Sequence, residues 1–278
     1  MSFVLTADAA AFQARAGQFI ESRPQANVLA TILLAILEGR YAHVRPVFGC
    51  QLDGDGTVTA AAIRTPPRSL ITTELSEHET EPMLEAWLRE DPGLPGVNGP
   101  PATVCALAAG WQRGVGGTAR LGRSMAMHSL QRVLDPARPP SGRLRHAEHS
   151  ERDRLITWWQ AFITETSHQD ANDAEAMVDA RLDHDAVFVW DDGGAVSLVA
   201  VSPRVAGIVR IGPVYTPPER RRRGYAGMAV AEVSREALHA GARGCMLFTD
   251  LDNPTSNRIY AEIGYRRFAD WAEYVFEH

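Results

Sequence analysis

The stretch that decides the fold is PPERRRRGYAGMAVA, residues 217–231. Two prolines and a glutamate lead into four consecutive arginines, Arg220 to Arg223, followed by Gly224, Tyr225, Ala226, Gly227 and an apolar run. Prolines before, small residues at the junction and helix-compatible apolar residues after it place a helix start here. The first N–H groups of a helix have no intrahelical partner, and the helix dipole favours negative charge at that end. Gly224, Ala226 and Gly227 carry no bulk to block an approaching anion, and arginines supply charge and bidentate donors. The stretch therefore reads as a strand-to-helix turn able to hold a pyrophosphate on backbone amides, with guanidinium groups at its rim. It is neither a Walker loop, which requires G-x-x-x-x-G-K-[S/T], nor a dinucleotide fingerprint, since GYAGMA keeps only the first glycine in register. Taken alone, the four arginines could also be a solvated patch or an RNA contact, a lesser alternative to the anion site.

The flanks narrow the choice. Upstream, VRIGPVYT (209–216) reads as a strand with Gly212-Pro213 in its middle. Proline cannot donate to a strand ladder, so it belongs at an edge or a bulge. A bulge here would splay this strand from the one expected at 244–250. The V so opened would leave backbone groups on Val214, Tyr215 and Thr216 for an extended, amide-containing ligand. Downstream, NPTSNRIYAEIGY (253–265) opens a helix with Asn253 at the N-cap and Pro254 at N1, and closes it at Gly264. The spacing of Ser256, Asn257 and Tyr260 puts all three on one helical face.

The rest of the chain sets bounds. It has 278 residues, 45% hydrophobic and 22% charged, with a net charge of −6, a poor balance for a general nucleic-acid binder. Three widely spaced cysteines, Cys50, Cys105 and Cys245, suit neither a disulfide framework nor a zinc cluster and fit a reducing compartment. The opening MSFVLTADAAAF lacks a basic segment followed by an apolar core, so no signal peptide is expected. ANVLATILLAILEG (26–39) is too short to span a bilayer and reads as a buried helix. A cytoplasmic protein without membrane or nucleic-acid partners is the expectation; the oligomeric state is not legible.

Helical periodicity covers 7–39. A hairpin follows at 46–64 around Asp53–Gly56, then a strand at 68–75, a helix at 79–90, a mixed apolar segment at 102–114 and a strand at 119–130. DPARPPSG (135–142) is the Pro-rich connection taken as a domain boundary. Beyond it come a short strand from 142, a helix at 150–168 capped by Ser150 with Asp153 three residues on, a helix near 172–182, and a hairpin at 186–202 around Asp191–Gly194. The strand before the arginines, a helix at 224–241, a strand at 244–250, the 254–263 helix and a closing strand pair from Tyr265 to Phe276 complete the pattern. The halves overlay: Val47-Phe48 on Val187-Phe188, Asp53–Gly56 on Asp191–Gly194, and SLITTEL on VRIGPVYT, at an offset near 140 residues. The first half has no arginine-glycine loop.

Arg221-Arg222-Arg223-Gly224-Tyr225-Ala226 resembles the R/Q-x-x-G-x-G/A signature of the GCN5-related N-acetyltransferases (GNAT), with alanine in the last place. The NPTSNRIYAEIGY segment resembles that family's closing motif. The resemblance covers roughly 143–278, and the first half resembles a degenerate copy, as in tandem members. It implies an α/β (α+β) fold: a mixed, mostly antiparallel sheet with flanking helices, in two related GNAT-like copies. The domains expected are 1–138, degenerate, and 139–278, catalytic.

The resemblance further implies acetyl-CoA, or another acyl-CoA, as co-substrate, and no metal. The amides of Arg222, Arg223, Gly224, Tyr225, Ala226 and Gly227, with Arg221 at the rim, would bind the pyrophosphate. Val214, Tyr215 and Thr216 would pair with the pantetheine arm, and Asn253, Ser256 and Asn257 would lie along it. Tyr260 would stand near the sulfur as the acid for the departing thiolate, its alternative being to pack its helix on the sheet. The amide of Val214 or Tyr215 would polarise the carbonyl. The acceptor expected is a small primary amine, acylated directly, because no G-x-S-x-G elbow or helix-capping cysteine is present. The alternatives are a hydroxyl or protein-amine acceptor, a longer acyl group, or a CoA-binding module without turnover.

No general base is legible: His168, Asp191 and Asp250 are the positional options, with water-mediated deprotonation beside them. Trp158, Trp159 and Phe162 read as core before acceptor pocket. His146-x-x-His149 reads as a polar connection, with no third ligand for a metal.

Overall fold

The computed structural model describes residues 2–39, 44–166 and 174–277. Among them the chain forms β1 (Ser2–Thr6), α1 (Ala9–Glu21), α2 (Asn27–Leu37), β2 (Val47–Leu52), β3 (Val58–Arg64), β4 (Leu70–Thr72), α3 (Glu77–Glu90), β5 (Gly96–Gly99), α4 (Pro101–Val115) and β6 (Thr118–Leu130). It then repeats the order with β7 (Arg143–His146), α5 (Arg152–Thr166), α6 (Ala174–Leu182), β8 (Val187–Asp191), β9 (Ala195–Val201), β10 (Ile208–Tyr215), α7 (Tyr225–His239), β11 (Gly244–Asp250), α8 (Pro254–Glu262) and β12 (Arg266–Glu277). Element for element, the second series is the first, which is the duplication read from the hairpins at 46–64 and 186–202.

The chain divides into two compact units, Met1–Met125 with Ala269–His278, and Ala126–Phe268. The division falls inside β6, not at the Pro-rich 135–142 segment that set the expected 1–138 and 139–278 boundary. Strand pairing, which the linker composition does not report, decides it. In the first unit the strand order is β1-β2-β3-β4-β5-β12. The β1 to β4 neighbours are antiparallel, β4 and β5 are parallel, and β12 pairs antiparallel with β5 through Ala272↔Gly99 to Val275↔Gly96. In the second unit the order is β6-β11-β10-β9-β8-β7, with β7 to β10 antiparallel and β10 parallel to β11. Each unit thus takes a terminal strand segment from the other half of the sequence.

The core of the second unit has two faces. Val209, Ile211, Cys245 and Leu247 pack with Ala229, Val230 and Val233 of α7 and with Tyr260 of α8. On the opposite face Val187, Val189, Leu198, Ala200 and Tyr215 pack with Leu155, Ile156 and Trp159 of α5. Alternation along each strand assigns successive residues to opposite faces. Trp159 is core, as expected.

Several local expectations change. Residues 102–114 form a full helix, α4, started by Pro101 at N1 and closed by Gly116 at φ 85°. Short β1 and β5 have no sequence signal of their own, β5 being Gly-Val-Asn-Gly inside a turn-rich stretch. A 3-10 turn, His149–Glu151, leads into α5 and carries a reciprocal Glu148–Glu151 box, in which Glu151 accepts the Glu148 amide at 3.0 Å, in place of the expected Ser150–Asp153 one. The closing strand pair is one strand, β12. The 135–142 segment is docked within the second unit: Asp135 pairs with Arg235 of α7 at 2.6 Å, and Ser141 O accepts Trp190 Nε1 at 2.8 Å.

In the first unit Glu79 closes the N-terminus of α3. Its carboxylate accepts from Ser76 N (2.8 Å), Ser76 Oγ (2.7 Å) and Thr59 Oγ1 (2.7 Å). Burial alone would raise its pKa, but the hydrogen bonds from Thr59 and Ser76 outweigh burial and hold it below the usual carboxylate value. A lowered folded-state pKa contributes stability above the unfolded pKa and loses it as pH falls through the folded one. Glu79→Ala is therefore expected to cost about 1–2 kcal/mol at neutral pH, read from urea midpoints, and the gap to wild type should close at acid pH.

Candidate functional site

The site begins where β10 leaves β11. The parallel register runs from Ile208↔Gly244 to Arg210↔Met246 and no further. On its other edge β10 pairs with β9 as Ile211↔Val201 and then Val214↔Val199, so one extra residue is accommodated at Gly212-Pro213. Gly212 has φ +139°, a conformation an L side chain rarely adopts, and Pro213 has no N–H to offer a ladder. The bulge read from the sequence is present, and beyond it the two strands part.

The turn from β10 to α7 lies at the end of this opening. Pro218–Arg220 form one 3-10 turn, Arg222 has φ 63° and Gly224 φ 85° at the N-cap of α7. The first helical bond recorded is Met228 N to Gly224 O at 3.0 Å. Among the described residues, the amides from Arg222 to Gly227 have no acceptor of their own. Six successive free donors on a helix N-terminus form an anion cradle, and Arg222 and Arg223 stand exposed beside it. Gly227 also lets α8 approach, because a Cβ there would stand 3.0 Å from Ile259.

The side chain of Tyr225 is turned to the fold: its hydroxyl donates to Asp192 Oδ2, which also accepts Ser141 Oγ at 3.0 Å. These two bonds, Tyr225 first, keep the Asp192 carboxyl below its usual pKa, and the nearby Arg220 and Arg223 charges act in the same sense. The 135–142 segment borders the cradle, with Pro140 Cδ 3.7 Å from where a Cβ on Gly224 would lie.

At three of the expected contacts the groups already have partners within the chain. Arg221 does not stand free at the rim: its Nη2 donates to both Glu165 oxygens, at 2.8 and 2.7 Å, and its Nε to Thr216 O at 2.8 Å. The carbonyls of Tyr215 and Thr216 are not both open, since Tyr215 O accepts Ser197 Oγ at 3.1 Å and Thr216 O accepts Arg221. Asn253 and Ser256 are engaged with each other: Asn253 Oδ1 caps Ser256 N at 3.1 Å and Ser256 Oγ donates to Asn253 O at 3.1 Å. Asn257 differs. Its Nδ2 donates to Asp250 O at 3.0 Å, and its Oδ1 is buried without a partner, a cost a hydrogen-bonding ligand would relieve.

Tyr260, 8% exposed, packs edge-on to Tyr265 with ring centroids 6.1 Å apart. Its hydroxyl has no partner among the described residues. Burial raises its pKa, so the phenol stays protonated through the neutral range.

The carboxylates named as positional bases are occupied. Asp191 bonds Arg145 Nε at 2.7 Å and Gly194 N at 2.9 Å, which lowers its pKa, Arg145 first. Asp250 Oδ1 accepts Asp252 N at 2.8 Å in a turn. His168 lies outside the described residues. His146 Nδ1 meets Asp185 O at 3.0 Å, and no cluster of three or more His, Cys, Asp or Glu able to hold a metal occurs among the described residues. Nor is any helix among them long and apolar enough to cross a membrane. Trp158 is half-buried and packs against the core, its ring 6.4 Å from Tyr215. Glu165, Ser197 and Asp192 were missed by the sequence reading. No local pattern marks them, because their partners are 56, 19 and 33 residues away.

The acetyltransferase (GNAT) family model matches residues 152–265, the segment holding the opened strands and the cradle. Over that segment this chain is similar to the GNAT family. The fold over the whole chain is that of tandem GNAT proteins. A tandem GNAT protein from the clavulanic acid biosynthesis pathway superposes with a TM-score of 0.57 at 12% identity, covering 99% of this chain and 98% of that one. An acetyltransferase from the GNAT family of Colwellia psychrerythraea gives 0.60 at 10% identity with 100% of both chains covered. A GCN5-related N-acetyltransferase from Sphaerobacter thermophilus gives 0.58 at 18% identity, covering 98% and 95%. No curated protein matches the sequence.

The two copies differ at the start of the helix that follows their antiparallel strands. The N-terminus of α3 is filled by the Glu79 carboxylate; that of α7, its counterpart, is bare. Because Gly224 holds a left-handed φ with room around it, Gly224→Ala should destabilise by about 1 kcal/mol through backbone strain and not through a clash, as read by denaturant unfolding.

Proposed function

We propose that this protein is an acetyl-CoA-dependent N-acetyltransferase with one working site, in the second half of the chain (139–278 by sequence), acting on a small primary amine by direct transfer. The observation that carries the reading is the parallel pair β10/β11, which parts beyond Arg210 beside a helix N-terminus with free amides. The group fits the residues: six unpaired N–H donors suit a pyrophosphate, the opened strand edge suits an amide-bearing arm, and Asn257 Oδ1 is an acceptor awaiting a donor.

Acetyl-CoA supplies an activated thioester. Arg222 to Gly227 bind its diphosphate, and Arg222 and Arg223 add charge. The unengaged backbone groups of Val214 and Tyr215, with Asn257, hold the arm in extended form, and an amide of β10 polarises the carbonyl. Tyr260 keeps its proton at neutral pH and delivers it to the thiolate as the amine takes the acyl group. With Asp191 and Asp250 held by structural partners, the amine loses its proton to water. Glu79 fills the corresponding place in the first half, which leaves the degenerate copy in 1–138 without a coenzyme site.

Calorimetry with acetyl-CoA should give one site per chain, and Gly224→Glu, which sets bulk and negative charge in the cradle, should abolish the heat. Tyr260→Phe should retain binding while losing at least about tenfold in kcat, followed as free thiol release over a panel of amines. A protein that binds acetyl-CoA but releases no thiol with any amine or hydroxyl compound would be a sensor module and would end the enzymatic reading.

A further inference from the structure

Tyr215, the last residue of β10, and Thr216 just after it are tied from two sides. From β9, the fully buried Ser197 donates Oγ to Tyr215 O at 3.1 Å and shares a 2.8 Å bond with Thr216 Oγ1. From α5, Glu165 takes Arg221 Nη2 on both oxygens, and Arg221 Nε in turn holds Thr216 O at 2.8 Å. The guanidinium also lies over the Tyr215 ring, with Cζ 5.6 Å from its centroid. A planar fork with five donors can serve a carboxylate and a carbonyl at once, which an ammonium on a flexible stem does poorly.

We propose that Glu165 is a positioning residue for the acyl donor: it draws Arg221 away from the phosphates and makes it a strut that fixes the Thr216 carbonyl and the end of β10, the edge on which the pantetheine arm lies. The proposal rests on the acetyl-CoA reading. The four-arginine run is thereby divided. Arg221 shapes the strand edge, while Arg220 and Arg223 stand near Asp192 and Arg222 stands exposed beside the cradle. Both partners of the strut are partly exposed, at 41% for Arg221 and 44% for Glu165, so either can be replaced without opening the core.

A phosphate-binding Arg221 merely resting on Glu165 predicts the opposite behaviour, which makes the test direct. Acetyl-CoA affinity is measured by calorimetry, and kcat/KM is measured with S-acetylpantetheine, which keeps the arm and lacks the diphosphate and the 3′-phosphate. Glu165→Gln should weaken acetyl-CoA binding about three- to tenfold and lower kcat/KM for S-acetylpantetheine by a similar factor. Kcat at saturating acetyl-CoA should stay within about twofold, since no reacting group is removed. Arg221→Ala should behave alike, the double variant no worse than Arg221→Ala alone, and Glu165→Asp should fall between wild type and Glu165→Gln. Unfolding midpoints of all four are compared to show that the fold is retained.

If Glu165→Gln bound acetyl-CoA as well as or better than wild type, the strut would be refuted. So it would be if Arg221→Ala lost acetyl-CoA affinity while leaving S-acetylpantetheine turnover untouched. Failure of the unsubstituted protein to bind acetyl-CoA is a separate result and would strike the function proposed above.

Discussion

Pro213 has no amide hydrogen to give a neighbouring strand, and Gly212 before it takes a φ of +139°. These two facts stop β10 from continuing its ladder with β11 beyond Arg210↔Met246. Everything chemical in the second unit depends on that interruption. Were the ladder continuous, the backbone at the end of β10 would be paired inside the sheet, and the turn into α7 would face a closed edge. With it broken, the end of β10 keeps an open edge ahead of the bare helix N-terminus, and α8 holds Asn257 against the end of β11 through Asp250 O.

The two copies show how one topology comes to have two different helix starts. Both place a helix after the fourth strand of an antiparallel run and before a parallel neighbour. In the first, Ser76, Glu79 and Thr59 satisfy the helix start internally. Gly99 also brings β5 so near β4 that a Cβ on it would stand 2.8 Å from Thr72 O. A carboxylate already at the helix start repels the anion that the same position would otherwise attract. In the second, the equivalent amides are left open and arginines surround them. The difference is electrostatic and local, and the remainder of the fold is shared.

The segment 132–142 is packed against its own unit. Its prolines and glycine read as a linker, yet Leu134 N donates to Ile263 O at 2.9 Å, Asp135 pairs with Arg235 on α7 and Ser141 bonds Asp192. Proline lowers the entropy a chain loses on being fixed, which suits a docked strap as well as a spacer. The compact units are instead divided within β6, a strand whose sequence gives no hint of a boundary.

From residues alone came the elements that depend on neighbours in the chain: the bulge at Gly212-Pro213, the helix start at Gly224, the Asn253-Pro254 cap, the hairpins and their repetition. Each follows from backbone preferences and spacing that act over a few residues. The candidate site was legible to the same extent, as a cradle of amides and an open strand edge. What the three-dimensional fold alone decided is who partners whom at long range. Arg221 belongs to Glu165, the Tyr225 hydroxyl to Asp192, the Tyr215 carbonyl to Ser197, and β12 to β5. Such pairings depend on which surfaces meet after strands align, and a side chain with several equivalent partners in sequence finds its one partner only in space.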